Sequence, residues 1–474
     1  MAHRPEAVAS TAMSIDAVLA RVAADFPATV QTLTDLVRIP SCSFPGFDPA
    51  HVRASAEATA AWLRASGYPE VRLVDHPGCH HPYVIATDHR AGPGAPTLLL
   101  YAHHDVQPPL REELWVSPAH APEVREGRLW GRGAADDKAG VALHCAAAAA
   151  WNAVAGRPPI NLTVLIEGEE EIGSPHFAAF LQAHRQELLA DAVVIADLAN
   201  VDTGLPSLTT SLRGHVALEI ELAALAKPLH SGMWGGAVPD PVAALVRLLA
   251  TLTDDQGRIA VPSLKAGAVP LTAAEAAGLA RIPYDPARLA DQAGVLAGAS
   301  AVPADALATH RALWREPTLS IHALQAGARG KTGNVIMDRA WARLGIRIVP
   351  GQTAAQVQEA LIAHLKTHAP AWATLTLTPA STGDAWATAT DHPLFAVARE
   401  ALTIGYGTAP VDIGCGASIP FVGEFTDLLG GVPALLVGVE DPICGAHAEN
   451  ESVHLGDLEK AIKSQAALIG LMAR

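Results

Sequence analysis

His103 and Asp105, Asp136 and Asp137, and the run Glu169-Glu170-Glu171 are side chains that bind divalent metals and move protons. They sit in the strings HHDVQPP (103–109), WGRGAADDKAG (130–140) and EGEEEIGS (167–174). A metal-bound imidazole gives its other N–H to a carboxylate or carbonyl, which fixes its tautomer, so His103 suits a ligand and Asp105 its orienting acid. Two residues apart on extended chain, both face the same way; the competing reading is a solvated polar pair. Asp136 and Asp137 precede a helical pattern, where one carboxylate could bridge two metals about 3.5–4 Å apart, or both could simply cap the helix. Three carboxylates crowd after the apolar run LTVLI (162–166). At a partly buried strand end such like charges need a cation or raised pKa values. Neighbouring side chains diverge there, so one can bind metal while the next reaches a water. Asp197 and His447 complete a ligand set; alone, each reads as a cap or an ordinary histidine. The chemistry expected is hydrolysis by a metal-activated water.

These residues need elements to position them. Apolar β-type runs occur at 83–87, 97–102, 160–166, 192–196 and 434–438. Helical patterns occur at 14–38, 50–66, 137–155, 175–190 and 393–404. Alternating strands and helices predict an α/β fold, a mixed sheet covered by helices on both faces. In such sheets ligands gather beyond the carboxyl ends of strands. His103 follows TLLLYA, the glutamates follow LTVLI and Asp197 follows VVIA, so the groups can converge. Residues 213–380 read differently. Strand 215–223, helix 239–253, strands 318–325 and 341–349, helix 353–368 and strand 373–378 make a β-α-β-β-α-β unit of the ferredoxin-like kind, interrupted by a Pro/Ala-rich excursion at about 257–317. The expected division is a catalytic domain in two parts, 1–212 and 381–474, with the unit 213–380 inserted.

With 474 residues, half of them hydrophobic, the chain has ample material for packed cores. Its net charge of −15 and lack of a basic run argue against nucleic acid and anionic membrane as partners. No apolar stretch suits a membrane span, and the first residues lack a signal-peptide core. Five cysteines without a CxxC point to free thiols and a cytoplasmic location.

Together, HHDVQPP, LWGRGAADDKAG, EGEEEIGS, PLHSGMWGG (228–236) and GAHAENE (445–451) resemble, in order and over most of the chain, a known family. It is the co-catalytic zinc peptidase family of carnosinases and cytosolic dipeptidases, aminoacylases and succinyl-diaminopimelate desuccinylase. The forms HxDVQPP, DDK and HSGxxGG look nearest its dipeptidase branch. The resemblance implies two Zn²⁺ per subunit, with Mn²⁺ or Co²⁺ as substitutes. His103 and Asp197 would hold one and Glu171 and His447 the other, with Asp136 bridging and a cis Asp136–Asp137 peptide. Glu170 would be the general base and Asp105 would orient His103. His230, in the inserted lid and dimerisation domain, would stabilise the oxyanion in the partner subunit's site, which implies a homodimer. Arg347, Asn334 and Ser418 fall where relatives hold the substrate's carboxylate and backbone. The activity implied is hydrolysis of dipeptides or small peptides. One departure stands out: this branch often carries Arg-Glu before Gly-Gly-Ser-Ile-Pro, whereas here the stretch is Gly414-Cys415-Gly416-Ala417-Ser418-Ile419-Pro420. The acid that could meet a substrate amine is missing. That keeps N-acyl-amino-acid deacylase or carboxypeptidase activity as an alternative, and a catalytically silent metal-binding homologue as a remote one.

Overall fold

The computed structural model describes residues 5–299, 303, 305–330, 333–416 and 421–474. The chain divides into two compact units, one of residues 1–210, 388–413 and 421–474, the other of 211–387 and 414–420.

In the first unit the main sheet runs, edge inward, through strands Glu70–Val74, Tyr83–Asp88, Asn161–Glu167, Thr97–His103, Ala192–Ile195, Ala434–Leu436 and Ser207–Leu212. Thr97–His103 pairs in parallel with both Asn161–Glu167 and Ala192–Ile195, and Ala434–Leu436 extends the parallel centre. The strands on either side pair antiparallel. Every residue of Asn161–Glu167 and Ala192–Ile195 is buried, as expected of parallel strands covered on both faces. Side chains alternate between those faces. Leu98, Leu100 and Ala102 join the large core with Leu162, Val164 and Val194. Helices Pro5–Val37, Lys138–Ala155, Pro393–Tyr406 and Leu455–Leu471 close over that side. On the other face Tyr101 meets Phe177 and Phe425, and Tyr83 stacks on Phe180 at 3.8 Å; the helices there are Phe177–Leu188 and Phe421–Leu428. A small antiparallel sheet of Glu123–Arg125, Arg128–Trp130 and Ser452–His454 ties the chain's end to the approach to Asp136.

The second unit holds a four-stranded antiparallel sheet in the order Thr318–Gln325, Arg339–Ile348, Gly214–Ala223, Thr374–Gly383. Helix Pro241–Ala250 follows its first strand and helix Ala354–His368 its third. That is the split β-α-β-β-α-β arrangement, with its own core of Leu218, Ile220, Leu245, Leu248, Leu344 and Leu361 among others. The Pro/Ala-rich excursion is not structureless: helices Ala273–Arg281, Pro286–Gln292 and Ala306–Trp314 form within it, the first closed by a Thr272–Glu275 capping box. Among the described residues no helix is long and apolar enough to cross a membrane.

Candidate metal centre

The parallel strands deliver their carboxyl ends to one edge of the sheet, where His103, Glu167 and the residues after Ile195 emerge. His103 is fully buried. Its Nδ1–H donates to the backbone oxygen of Asp105 at 3.1 Å, with the Asp105 carboxylate slightly farther at 3.4 Å. Nε2 is buried without a hydrogen-bond partner, and although burial opposes it, the surrounding carboxylates of Asp197, Asp105 and Asp136 raise the pKa of this imidazole. Nε2 faces Asp136 Oδ1 at 3.0 Å and Asp197 Oδ1 at 3.6 Å. On the other side, His447 Nε2 faces Asp136 Oδ2 at 3.0 Å and Glu171 Oε2 at 3.4 Å. Asp136 therefore stands between two imidazole–carboxylate pairs, one oxygen toward each. A ring nitrogen buried without a hydrogen-bond partner, among carboxylates at these separations, fits divalent cations held by N and O donors.

Local structure explains each placement. Asp105 is buried, accepts Ser43 Oγ at 2.6 Å, and takes the backbone N–H groups of Glu170 and Glu171 at 3.2 and 3.1 Å. Its carboxylate thus holds the turn that carries both glutamates more closely than it holds His103. Glu171 also receives N–H and side-chain donors from Gln107. The Asp136–Asp137 peptide is cis. Asp137 caps helix Lys138–Ala155 through Gly140 N and accepts the backbone N–H of His103, so it braces the centre as well as capping. His447 has φ of 63°, a left-handed conformation costly for a non-glycine residue and frequent at functional sites.

The electrostatics are those of carboxyl groups crowded together in a buried place. Burial, reinforced by Asp197, Asp136 and Asp105, pushes the Glu170 carboxyl up to about 8, against the opposing pull of His103. Burial likewise raises Glu171, Asp137 and Asp197. For Asp136 burial opposes ionisation, but contact with His103 and His447 prevails and holds its carboxyl low. Like charges at this density are relieved by protons or by cations.

Some contributors lack a signal in the sequence. Glu440, whose pKa burial raises well above the usual range, forms a candidate metal-holding group with Asp136 and Asp197. Glu451 is buried and accepts the backbone N–H groups of Gly133, Ala135 and Asp136, while Arg132 pairs with it at 2.7 Å. The final Glu of GAHAENE is the only hint of that role.

His230, Asn334 and Arg347 lie in the second unit. His230 is exposed, and its Nδ1 accepts the backbone N–H of Gly232. Its short strand pairs with Val335–Ile336, and Asn334 O accepts from Ser231 N. Arg347 lies on the exposed side of strand Arg339–Ile348, level with His215 and Thr318. Arg213, which sequence reasoning did not single out, has its pKa lowered to about 10 by burial and by Arg347. Ser418 lies outside the described residues.

The model of Peptidase family M20/M25/M40 matches residues 99–470. A cysteinylglycine-S-conjugate dipeptidase of Corynebacterium striatum is 28% identical, over 93% of this chain and 94% of that relative. Human carnosine dipeptidase 1 superposes with a TM-score of 0.80 at 26% identity, over 97% of this chain and 98% of the other. An M20 family metallo-carboxypeptidase, Sso-CP2 from Sulfolobus solfataricus, gives 0.79 at 25% identity, over 94% and 99%.

Proposed function

We propose, from the premise that this chain belongs to peptidase family M20/M25/M40, that it is a metallopeptidase hydrolysing the peptide bond of dipeptides. The observation that carries this reading is Asp136, with one carboxylate oxygen toward His103 and the other toward His447. His103 and Asp197 would hold one Zn²⁺ and Glu171 and His447 a second, with Asp136 shared; Mn²⁺ and Co²⁺ suit the same donors. When bound, such a pair polarises a carbonyl and brings the pKa of a water toward about 7.

The rest falls to the chain's own side chains. Glu170 takes the proton of the attacking water and returns it to the leaving amine. Asp105 positions Glu170 and Glu171 through their backbone amides. The tautomer of His230 is set by Gly232 N on Nδ1, which leaves Nε2–H to donate. In a homodimer the partner subunit's His230 would give that hydrogen bond to the oxyanion. Arg347, with Arg213 beside it, and Asn334 and Ser418 would hold the substrate's carboxylate and backbone. All five cysteines are free thiols, which supports a reducing, cytoplasmic setting.

Cys415, where the dipeptidase branch often carries an acid, favours a second reading: an N-acyl-amino-acid deacylase or carboxypeptidase on the same centre. One panel separates them. Zinc-loaded protein is given free dipeptides and the same dipeptides N-acetylated, each with a chelator control. Chelator-sensitive cleavage of the free set is expected; cleavage of the acetylated set alone moves the assignment to the second reading. In parallel, Glu170→Gln should keep its metal content and lose about 10²–10⁴-fold in turnover. Undiminished turnover would remove Glu170 from the role of base.

A further inference from the structure

The segment Glu169–Glu171 serves two places. Glu170 and Glu171 turn toward Asp105 and the centre described above, whereas the Glu169 side chain points the other way and is buried. Its Oε2 lies 3.1 Å from Cys79 Sγ and 2.9 Å from His176 Nδ1. Its Oε1 accepts Tyr83 Oη at 2.8 Å and the backbone N–H of His176 at 2.9 Å. One ligand atom each from Cys79, Glu169 and His176 lies within 4.8 Å of the others. Cys79 and His176 both keep some solvent exposure, so an ion could enter and a fourth position would stay open.

We propose that Cys79, Glu169 and His176 form a further cation site, separate from the His103–His447 centre, for a thiophilic divalent metal of the zinc type. A thiolate, an imidazole and a carboxylate with one open position is a zinc-like donor set. The sulfur selects Zn²⁺ or Co²⁺ over Mg²⁺ and Mn²⁺. Sγ and Nδ1 already converge on the same carboxylate oxygen, at 3.1 and 2.9 Å, close to the separations between ligands of one tetrahedral ion. Binding displaces the proton of the Cys79 thiol. Occupancy therefore strengthens as pH rises. A metal here would tie the Cys79 loop to the turn that presents Glu170.

Sulfur makes the site separately visible. The other centre's candidate ligands are histidine, aspartate and glutamate, so only the Cys79 site gives a sulfur-to-cobalt charge-transfer band. Co²⁺-saturated protein should show that near-ultraviolet band. It should vanish in Cys79→Ser and weaken in His176→Ala, while the visible cobalt bands of the other centre persist. No band in the wild type, or an unchanged band in Cys79→Ser, overturns the proposal and leaves a hydrogen-bonded cluster complete without metal. A second measurement needs no variant. Zn²⁺ added to chelator-stripped protein should slow alkylation of Cys79, located by peptide mass spectrometry, by roughly 10-fold or more. An unchanged rate counts against the site. Neither readout depends on hydrolysis, so failure of the peptidase reading would leave both intact.

Discussion

Asp136 owes its position to Glu451. That carboxylate collects three backbone N–H groups from the loop ending at Asp136 and is itself held by buried Arg132. Partners behind a metal ligand typically contribute about 10–100-fold to affinity. Glu451→Gln should therefore weaken metal binding by about that factor in competition with a chromophoric chelator, and should also lower stability by leaving Arg132 buried without its anion. Affinity unchanged within error would assign Glu451 to packing alone. His144 makes a different kind of contribution. Its Nε2–H donates to Tyr101 O and its Nδ1 accepts Gln465 Nε2, so burial keeps it neutral and lowers its pKa from 6.5 to about 4. The unfolded chain takes up the proton first. Stability is thus full above the ordinary value of 6.5 and is lost as pH falls toward 4, by about 1.4 kcal/mol per pH unit for this group. His144→Gln keeps a donor for Tyr101 O without a titrating ring. Urea unfolding at two pH values inside that window should show a flatter acid slope for the variant. His103, Asp136, Glu170 and Glu171 were legible because chemistry-bearing residues cluster at the ends of apolar runs. Glu440 and Glu451 were not, because their partners are distant in sequence and only chain closure brings them together.

The parallel strands matter because they end together, and close backbone approach is what allows it. A Cβ on Gly438 would come within 1.6 Å of Leu198 O, a backbone atom that cannot step aside. Gly438→Ala should force the Asp197–Leu198 segment away from the strand Ala434–Leu436, costing about 1–3 kcal/mol or more and lowering bound metal. Metal content and unfolding midpoint measured on one preparation test both; a fully metallated, equally stable variant would show that the segment can yield. Long apolar runs announced the central strands. Thr97–His103 runs one residue past its expected span of 97–102, and Asn161–Glu167 is its expected span of 160–166 moved on by one, so His103 and Glu167 lie inside the strands rather than after them. The strands Glu123–Arg125 and Arg128–Trp130 gave no such signal: three residues each, with charged Glu123, Arg125 and Arg128 among them, carry no period. Ser207–Leu212 was hidden by its hydroxyl residues, although most of it is buried. In the inserted unit the alternation of buried and exposed residues along Arg339–Ile348 made one covered face plain.

Two separate cores imply two unfolding units, since each unit buries its own apolar cluster. The candidate ligand residues all belong to the first. Calorimetry should therefore resolve a transition that chelation moves and one that it does not. An ion present at about 100 times its dissociation constant adds about 2.7 kcal/mol, so the metal-dependent transition should fall by several degrees on stripping and recover on reloading. Equal shifts in both transitions would mean that the units unfold as one. The same connectivity has a consequence in time. Glu451 reaches back across 318 positions to Gly133, and His447 faces Asp136 in the same closure. A polypeptide still leaving the ribosome carries His103, Asp136, Glu171 and Asp197 well before His447 and Glu451 have been translated. A peptide-cleaving centre would thus stay unassembled among neighbouring nascent chains until His447 and Glu451 have emerged, and a message truncated before that point would yield an inert product rather than an unregulated one.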